Sequence, residues 1–254
     1  MYVACSTLCF ARSPLDQALR KIAELEFSKV DVAIHEQGPH LRPSEVVEDV
    51  GIAAQRIRIG PSLSPAAFSV EIDAPDQAAY QRQLQALCHL ARLSMVAVIT
   101  IPAASSGSGI DAEVKRLGAL VHLASLEGIA LTVETRIGTL TEIPETAVEL
   151  CKRVPGLGLT LDPSHYIAGP NQGKSFDAVF PYVRHVHLRD TGRSPEQFQV
   201  RVGQGEVEYG RIISHLTRYN YDRLLTVEIC DIPDAPFAMD AEVRKLKYLL
   251  DSLV

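Results

Sequence analysis

Short apolar runs alternate with amphipathic stretches along the whole chain. Near-continuous apolar segments lie at residues 2–10, 29–34, 56–59, 95–101, 129–134, 158–162, 183–188 and 224–229. They lack the clean apolar/polar alternation of a strand with one wet face; strands covered on both sides read this way, as in a parallel sheet flanked by helices. Between these segments the period lengthens to that of a helix. Ser13 and Pro14 supply an N-cap and a first-turn proline. Leu15, Ala18, Leu19, Ile22 and Ala23 then recur at the spacing of one buried helix face. Val114, Leu117, Leu120, Val121 and Ala124 repeat the pattern, with Gly128 placed to end the helix. Val243, Leu246, Leu250 and Leu253 repeat it near the C-terminus. Eight strand segments, one unit per about 32 residues, predict an α/β fold, a parallel (β/α)8 TIM barrel, rather than an open sheet with an extra domain. No linker or composition break divides the chain, so one domain is expected over residues 1–254.

Composition narrows the function classes. Charged residues make up 22% of the 254, and 25 Lys+Arg stand against 31 Asp+Glu, a net charge of −6. That balance argues against binding nucleic acid by bulk electrostatics. No run approaches the roughly 18 apolar residues that span a bilayer, and no basic leader precedes an apolar run at residues 1–6, so neither a membrane anchor nor a secretory signal is expected. Five cysteines, none in a C-x-x-C pair, make no disulfide framework, and a reducing, cytoplasmic setting is expected.

The candidate chemistry sits where the later strands end. Leu131-Thr132-Val133 runs into Glu134, Leu159-Thr160-Leu161 into Asp162, Val183-Arg184-His185-Val186 into His187, and Leu225-Thr226-Val227 into Glu228. In a barrel the C-terminal strand ends ring the mouth, where the active site of this architecture lies. Alternate residues share a face, so Thr132 and Glu134, Thr160 and Asp162, and Thr226 and Glu228 should point the same way. Taken singly, each acid reads more readily as a turn residue or a helix cap, and Asp162-Pro163-Ser164 resembles a turn on its own. Together, three carboxylates converging on one cavity would repel and raise one another's pKa. A divalent cation removes that penalty. Carboxylates plus imidazole without thiolate suit Mn2+, Mg2+, Co2+ or Zn2+ alike.

Glu134, the run Gly158-Leu159-Thr160-Leu161-Asp162-Pro163-Ser164-His165, the run His185-Val186-His187-Leu188-Arg189-Asp190, then Gly203-Gln204-Gly205 and Glu228 resemble, in order and spacing, the xylose isomerase-like TIM-barrel superfamily. Within it, the sugar phosphate isomerase/epimerase group is the closest pattern. The resemblance implies that Glu134, Asp162, His187 and Glu228 hold one divalent metal ion. It further implies that Glu134 and Glu228 act as acid and base on opposite faces of the substrate, and that His165 and Arg193 touch substrate oxygens. The chain departs from the pattern at Arg136, where many relatives carry histidine, and at Thr139 and Leu140, where ketose 3-epimerases carry a second glutamate nearby. Arg136 could clamp a carboxylate or phosphate in its place.

The implied reaction is a metal-dependent isomerisation or epimerisation of a small sugar, sugar phosphate or keto-polyol by proton abstraction next to a carbonyl. A dehydratase of the inosose or dehydroshikimate type is the alternative. An endonuclease IV-like repair enzyme is remote, because that family needs further histidines on the third and fourth strands. The expected partner is a small molecule, not nucleic acid or membrane, with homo-oligomerisation left open. Residues 169–175 have three residues between glycines where a P-loop needs four, and read as a surface loop. His185 reads as a packed, hydrogen-bonded core histidine, with metal binding the alternative. His35 and His40 read as loop residues, His35 being also a candidate substrate contact with Asp31 below it. His89, His122 and His215 read as structural, and Cys230 carries no assigned role.

Overall fold

The computed structural model describes residues 1–58, 63–233, 235 and 237–254. Its eight described strands are β1 (Tyr2–Ser6), β2 (Lys29–His35), β3 (Ser64–Glu71), β4 (Val98–Ile101), β5 (Ala130–Glu134), β6 (Gly158–Leu161), β7 (Val183–Leu188) and β8 (Leu224–Val227). All neighbours pair in parallel, and β8 closes on β1 with Tyr2 opposite Leu224. The α-helices between them are α1 (Leu15–Glu24), α2 (Pro43–Glu48), α3 (Val50–Arg56), α4 (Gln77–Leu93), α5 (Ile110–Leu126), α6 (Pro144–Arg153), α7 (Pro163–Ala168), α8 (Tyr209–Arg218) and α9 (Met239–Asp251). The expected (β/α)8 barrel is the observed fold.

Two local expectations change. The third strand is not at 56–59: Arg56 ends α3, Ile59 lies outside the described residues, and the strand is β3. The alternation Arg56-Ile57-Arg58-Ile59 mimics a strand, whereas Ser64, Pro65 and the two alanines of β3 carry little hydrophobic signal. The second change is small: α1 starts one residue later than the cap reading, and Ser13 Oγ instead accepts from Lys21 Nζ at 3.2 Å. Gly128, by contrast, follows α5 at φ 74°, a left-handed position suited to glycine.

The apolar core forms a shell between the strands and the helices. Outward-facing Leu131, Val133, Leu159, Leu161, Val186, Leu188, Leu225 and Val227 are buried, as are Leu117, Leu120, Leu150 and Leu246 on the helices. The barrel lumen is instead polar. Thr100, Thr132 and Thr160 are buried and form a hydroxyl cluster with Oγ1–Oγ1 distances of 2.7–3.1 Å. Mutual hydrogen bonding offsets the desolvation of these groups. The inward parity of Thr132 and Thr160 therefore holds, and the acids stand one layer above them.

Candidate active site

Glu134 ends β5, Asp162 follows β6 as the N-cap of α7, His187 lies in β7, and Glu228 follows β8. The closed sheet brings all four to the same end of the lumen. His187 Nδ1 lies 2.9 Å from Glu134 Oε1 and 3.4 Å from Glu228 Oε1, so three of the four meet directly. Asp162 joins through a bridge: Arg189 Nη2 donates to Asp162 Oδ2 at 2.7 Å and to Glu228 Oε1 at 3.2 Å. The other oxygen of Asp162 is taken by Ser164, whose N–H and hydroxyl donate to Oδ1 at 2.9 and 2.5 Å.

Beneath this layer the imidazoles are held from across the lumen. Asp31 of β2 accepts at Oδ2 from His185 Nε2 at 2.7 Å and from His187 Nε2 at 3.1 Å. His185 is buried and hydrogen-bonded through Nε2, as the packed reading expects, while its Nδ1 has no partner, and Asp31, His185 and His187 also lie close enough together to offer one ligand atom each to an ion. Because Asp31 takes the Nε2 proton of His187, Nδ1 is the ring atom turned toward Glu134 and Glu228. Burial opposes charge on His187, but Glu228, Asp31 and Glu134 outweigh it and push its pKa well above the ordinary imidazole value. Burial also acts against the Glu134 carboxylate, yet His187 overcomes it and holds the group down at about 2. Glu228 is shifted the other way, upward, chiefly by burial against the weaker pull of His187 and Arg189.

Glu134, Asp162 and Glu228, with Asp31 below them, thus stand against three cationic groups, His187, Arg189 and Arg136. Glu228 Oε2 is buried with no hydrogen-bond partner. An orphaned buried carboxylate oxygen beside an excess of negative charge fits a divalent cation, as does the donor set of carboxylates and imidazole. Cys230 does not add a thiolate, since burial pushes its thiol up to about 11. Glu134, His187 and Glu228 can together offer one ligand atom each to a single ion.

A cavity of about 330 Å3 opens onto these groups, walled in part by His35, Ser69, Glu71, Arg136, His165, Phe198 and Cys230. Of the expected substrate contacts, Arg136 and His165 line this cavity and Arg193 does not. Arg193 is 70% exposed, pairs with Glu206 at 2.9 Å, and borders a separate outer depression of about 540 Å3. In the loop after β7, Gly192 packs closely on Gln197, where an added Cβ would lie 2.7 Å away. Arg136 donates to Glu71 across the rim and lies 4.0 Å from Glu134 Oε2. His35 lines the cavity 3.5 Å from Ser69 Oγ, so its substrate-contact reading fits better than the loop reading. His40 is buried and hydrogen-bonds to the Ser13 carbonyl at 3.1 Å, so it is not a surface residue.

Arg189 and Glu71, which the sequence analysis gives no site role, and Cys230, which it leaves without one, all line the cavity. Signals for the first two were present. Arg189 is two residues beyond His187 and so shares its inward parity. Phe68-Ser69-Val70-Glu71 repeats the Val-Glu ending of β5 and of the segment leading to Glu228.

The loop behind Arg189 is tied to one buried carboxylate. Asp190 Oδ2 accepts from Gly203 N at 2.6 Å and Gly205 N at 3.1 Å, and Oδ1 accepts from Thr191 N at 3.0 Å. Gly203 sits at φ 81°, and a Cβ on Gly205 would lie 2.1 Å from Asp190 Oδ1. The tight turn read from Gly203-Gln204-Gly205 therefore wraps this carboxylate. Gly205→Ala should cost roughly 1–3 kcal/mol, as overpacking does. Urea denaturation measures it, and a change under about 0.3 kcal/mol would mean the turn relaxes freely.

Many solved structures share the fold, among them the following three. A Mycobacterium smegmatis xylose isomerase-like TIM barrel protein in complex with magnesium aligns over 100% of this chain and 98% of its own, at TM-score 0.75 and 18% identity. A D-tagatose 3-epimerase-like protein aligns over the same shares at TM-score 0.74 and 17% identity. The probable 3-DHS dehydratase AsbF of Bacillus anthracis, involved in petrobactin synthesis, aligns over 97% and 98% at TM-score 0.70 and 17% identity. By sequence, an uncharacterized protein of Methanocaldococcus jannaschii is 24% identical over 134 residues, which is 50% of this chain but only 45% of that protein. Residues 19–249 match the family described as xylose isomerase-like TIM barrel, and with the closed eight-stranded barrel observed here, the chain belongs to that family.

Proposed function

We propose that the protein is a divalent-metal-dependent isomerase or epimerase of a small sugar, sugar phosphate or keto-polyol, moving a proton at the carbon next to a carbonyl. The observation that carries this reading is the convergence of Glu134, His187 and Glu228 at the mouth, with Asp162 linked to Glu228 by one shared guanidinium nitrogen. Likeness to a D-tagatose 3-epimerase-like protein and to a magnesium-bound barrel supports it. The metal would be held by Glu134, Asp162, His187 and Glu228. Bound there, a divalent ion supplies Lewis acidity that lowers the pKa of the C–H beside a carbonyl.

The chain's own residues divide the remaining work. Glu134 has one oxygen on His187, which leaves Oε2 to exchange a proton with the substrate. Glu228, which lines the cavity with Oε1 on Arg189, serves the opposite side. Asp31 keeps His187 oriented so that both glutamates stay in register. His165 and Arg136 bind substrate oxygens from the cavity wall. Arg193, paired with Glu206 outside this cavity, would have to leave that partner to reach the same substrate.

The dehydratase reading rests on one specific feature. Arg136 faces the cavity next to Glu134, and a guanidinium there suits an acidic substrate; a 3-DHS dehydratase also shares the fold. In that case a proton and a β-hydroxyl leave together as water. Incubation of the Mn2+-loaded protein with a panel of ketoses and keto acids in D2O, followed by NMR, separates the two. Deuterium beside the carbonyl of recovered substrate and product is expected. Loss of water with a new enone absorbance selects the dehydratase. Product formed with no solvent deuterium removes support for the solvent-exchanging two-base mechanism.

A further inference from the structure

Arg189 stands where a divalent ion would have to enter. Its side chain is only 7% exposed. Nη2 spans Asp162 Oδ2 and Glu228 Oε1, Nη1 donates to Cys230 Sγ at 3.3 Å, and the guanidinium carbon lies 5.2 Å from the centre of the Phe198 ring. One cationic nitrogen already joins the two carboxylates that an ion held by Asp162 and Glu228 must join. The two occupants exclude each other, because like charges at such spacing repel strongly where water is scarce. The arrangement is also incomplete: Arg189 Nε and Glu228 Oε2 are both buried without partners. A buried charged pair normally satisfies such atoms, and leaving them unmade is costly. Both Arg189 and Phe198 border the mouth cavity, so open space lies beside the guanidinium.

We infer that Arg189 is a built-in competitor for the metal position. It neutralises Asp162 and Glu228 in the metal-free protein and must leave them when a divalent ion binds, so it sets metal affinity and delivers a guanidinium to the mouth on loading. This rests on the metal-dependent reading of the site above.

The test is calorimetric titration of chelator-stripped full-length protein with Mn2+, comparing wild type with Arg189→Met and Arg189→Lys. Arg189→Met fills a similar volume without charge. It should bind Mn2+ at least tenfold more tightly than wild type. Its stripped form should melt below stripped wild type, because Asp162 and Glu228 lose their counter-charge, and it should gain more from added Mn2+. Arg189→Lys keeps a cation with a compact head that reaches one carboxylate at a time, and should fall between the two. If stripped Arg189→Met does not fold, Arg189→Lys decides: at least threefold tighter binding than wild type supports competition. Equal or weaker Mn2+ binding in the decisive variant overturns the competitor role. If neither wild type nor variants bind Mn2+ or Zn2+, the metal-dependent reading itself falls and this inference with it.

Discussion

Glu228→Gln should lower kcat by roughly 10²–10⁴-fold, the range for loss of a positioned acid or base, while costing the metal-free fold less stability than Glu134→Gln does. The substitution keeps shape and removes one negative charge and the proton-accepting oxygen. In the folded protein that charge is disfavoured: burial raises the Glu228 pKa, and Oε2 has no hydrogen-bond partner. A neutral amide therefore gives up little. Glu134→Gln should match it in activity and differ in stability. The Glu134 carboxylate pairs with His187 at 2.9 Å and is held at about 2, below its ordinary value. A group whose folded pKa is depressed contributes stability above its ordinary pKa and loses it as pH falls toward the folded one. At neutral pH Glu134→Gln should thus lower Tm, and the gap from wild type should narrow as the pH falls from about 4.5 toward 2. Equal Tm values for the two variants at pH 7 would contradict the charge arrangement. Retention of turnover by either would contradict the two-glutamate assignment.

Stripping divalent metal with a chelator should abolish turnover. Lewis-acid assistance contributes several kcal/mol of transition-state stabilisation, so activity should fall by at least roughly 10³-fold. The same treatment should reduce stability, because an ion that binds only the folded chain stabilises it by about 2.7 kcal/mol at a hundredfold excess over Kd. For a chain of this size that is a rise in Tm of about 5–10 °C on re-addition of Mn2+. Turnover that survives chelation, with elemental analysis showing no stoichiometric metal, would end the metal-dependent reading.

The pattern of apolar runs was enough to read seven of the eight strands, the barrel and the sequence positions of Glu134, Asp162, His187 and Glu228. A strand buried on both faces needs a continuous apolar run, and inward parity follows from the two-residue repeat of an extended chain. Those are local rules, and the residues at the ends of the later strands obey them. The missed strand, β3, broke the local rule: Pro65 and small side chains weakened its signal, and the Val70-Glu71 ending that matches Val133-Glu134 went unused.

What only the tertiary structure decided are contacts across the lumen and the courses of loops. Asp31 and His185 lie 154 positions apart and on strands that do not pair with each other, yet they hydrogen-bond at 2.7 Å. Parity says that both point inward and says nothing of which side chain each meets. Arg189 and Arg193 are four residues apart in one segment, but one bridges Asp162 and Glu228 in the lumen and the other pairs with Glu206 at the exposed rim. Between and beside them, the Asp190 carboxylate gathers the backbone of Gly203 and Gly205 and Gly192 packs on Gln197, contacts that no local period announces. The hydrophobic period encodes the face of an element because burial is a local average. The partner of a buried charge is set by where the closed sheet brings distant strands, and that is a property of the whole barrel.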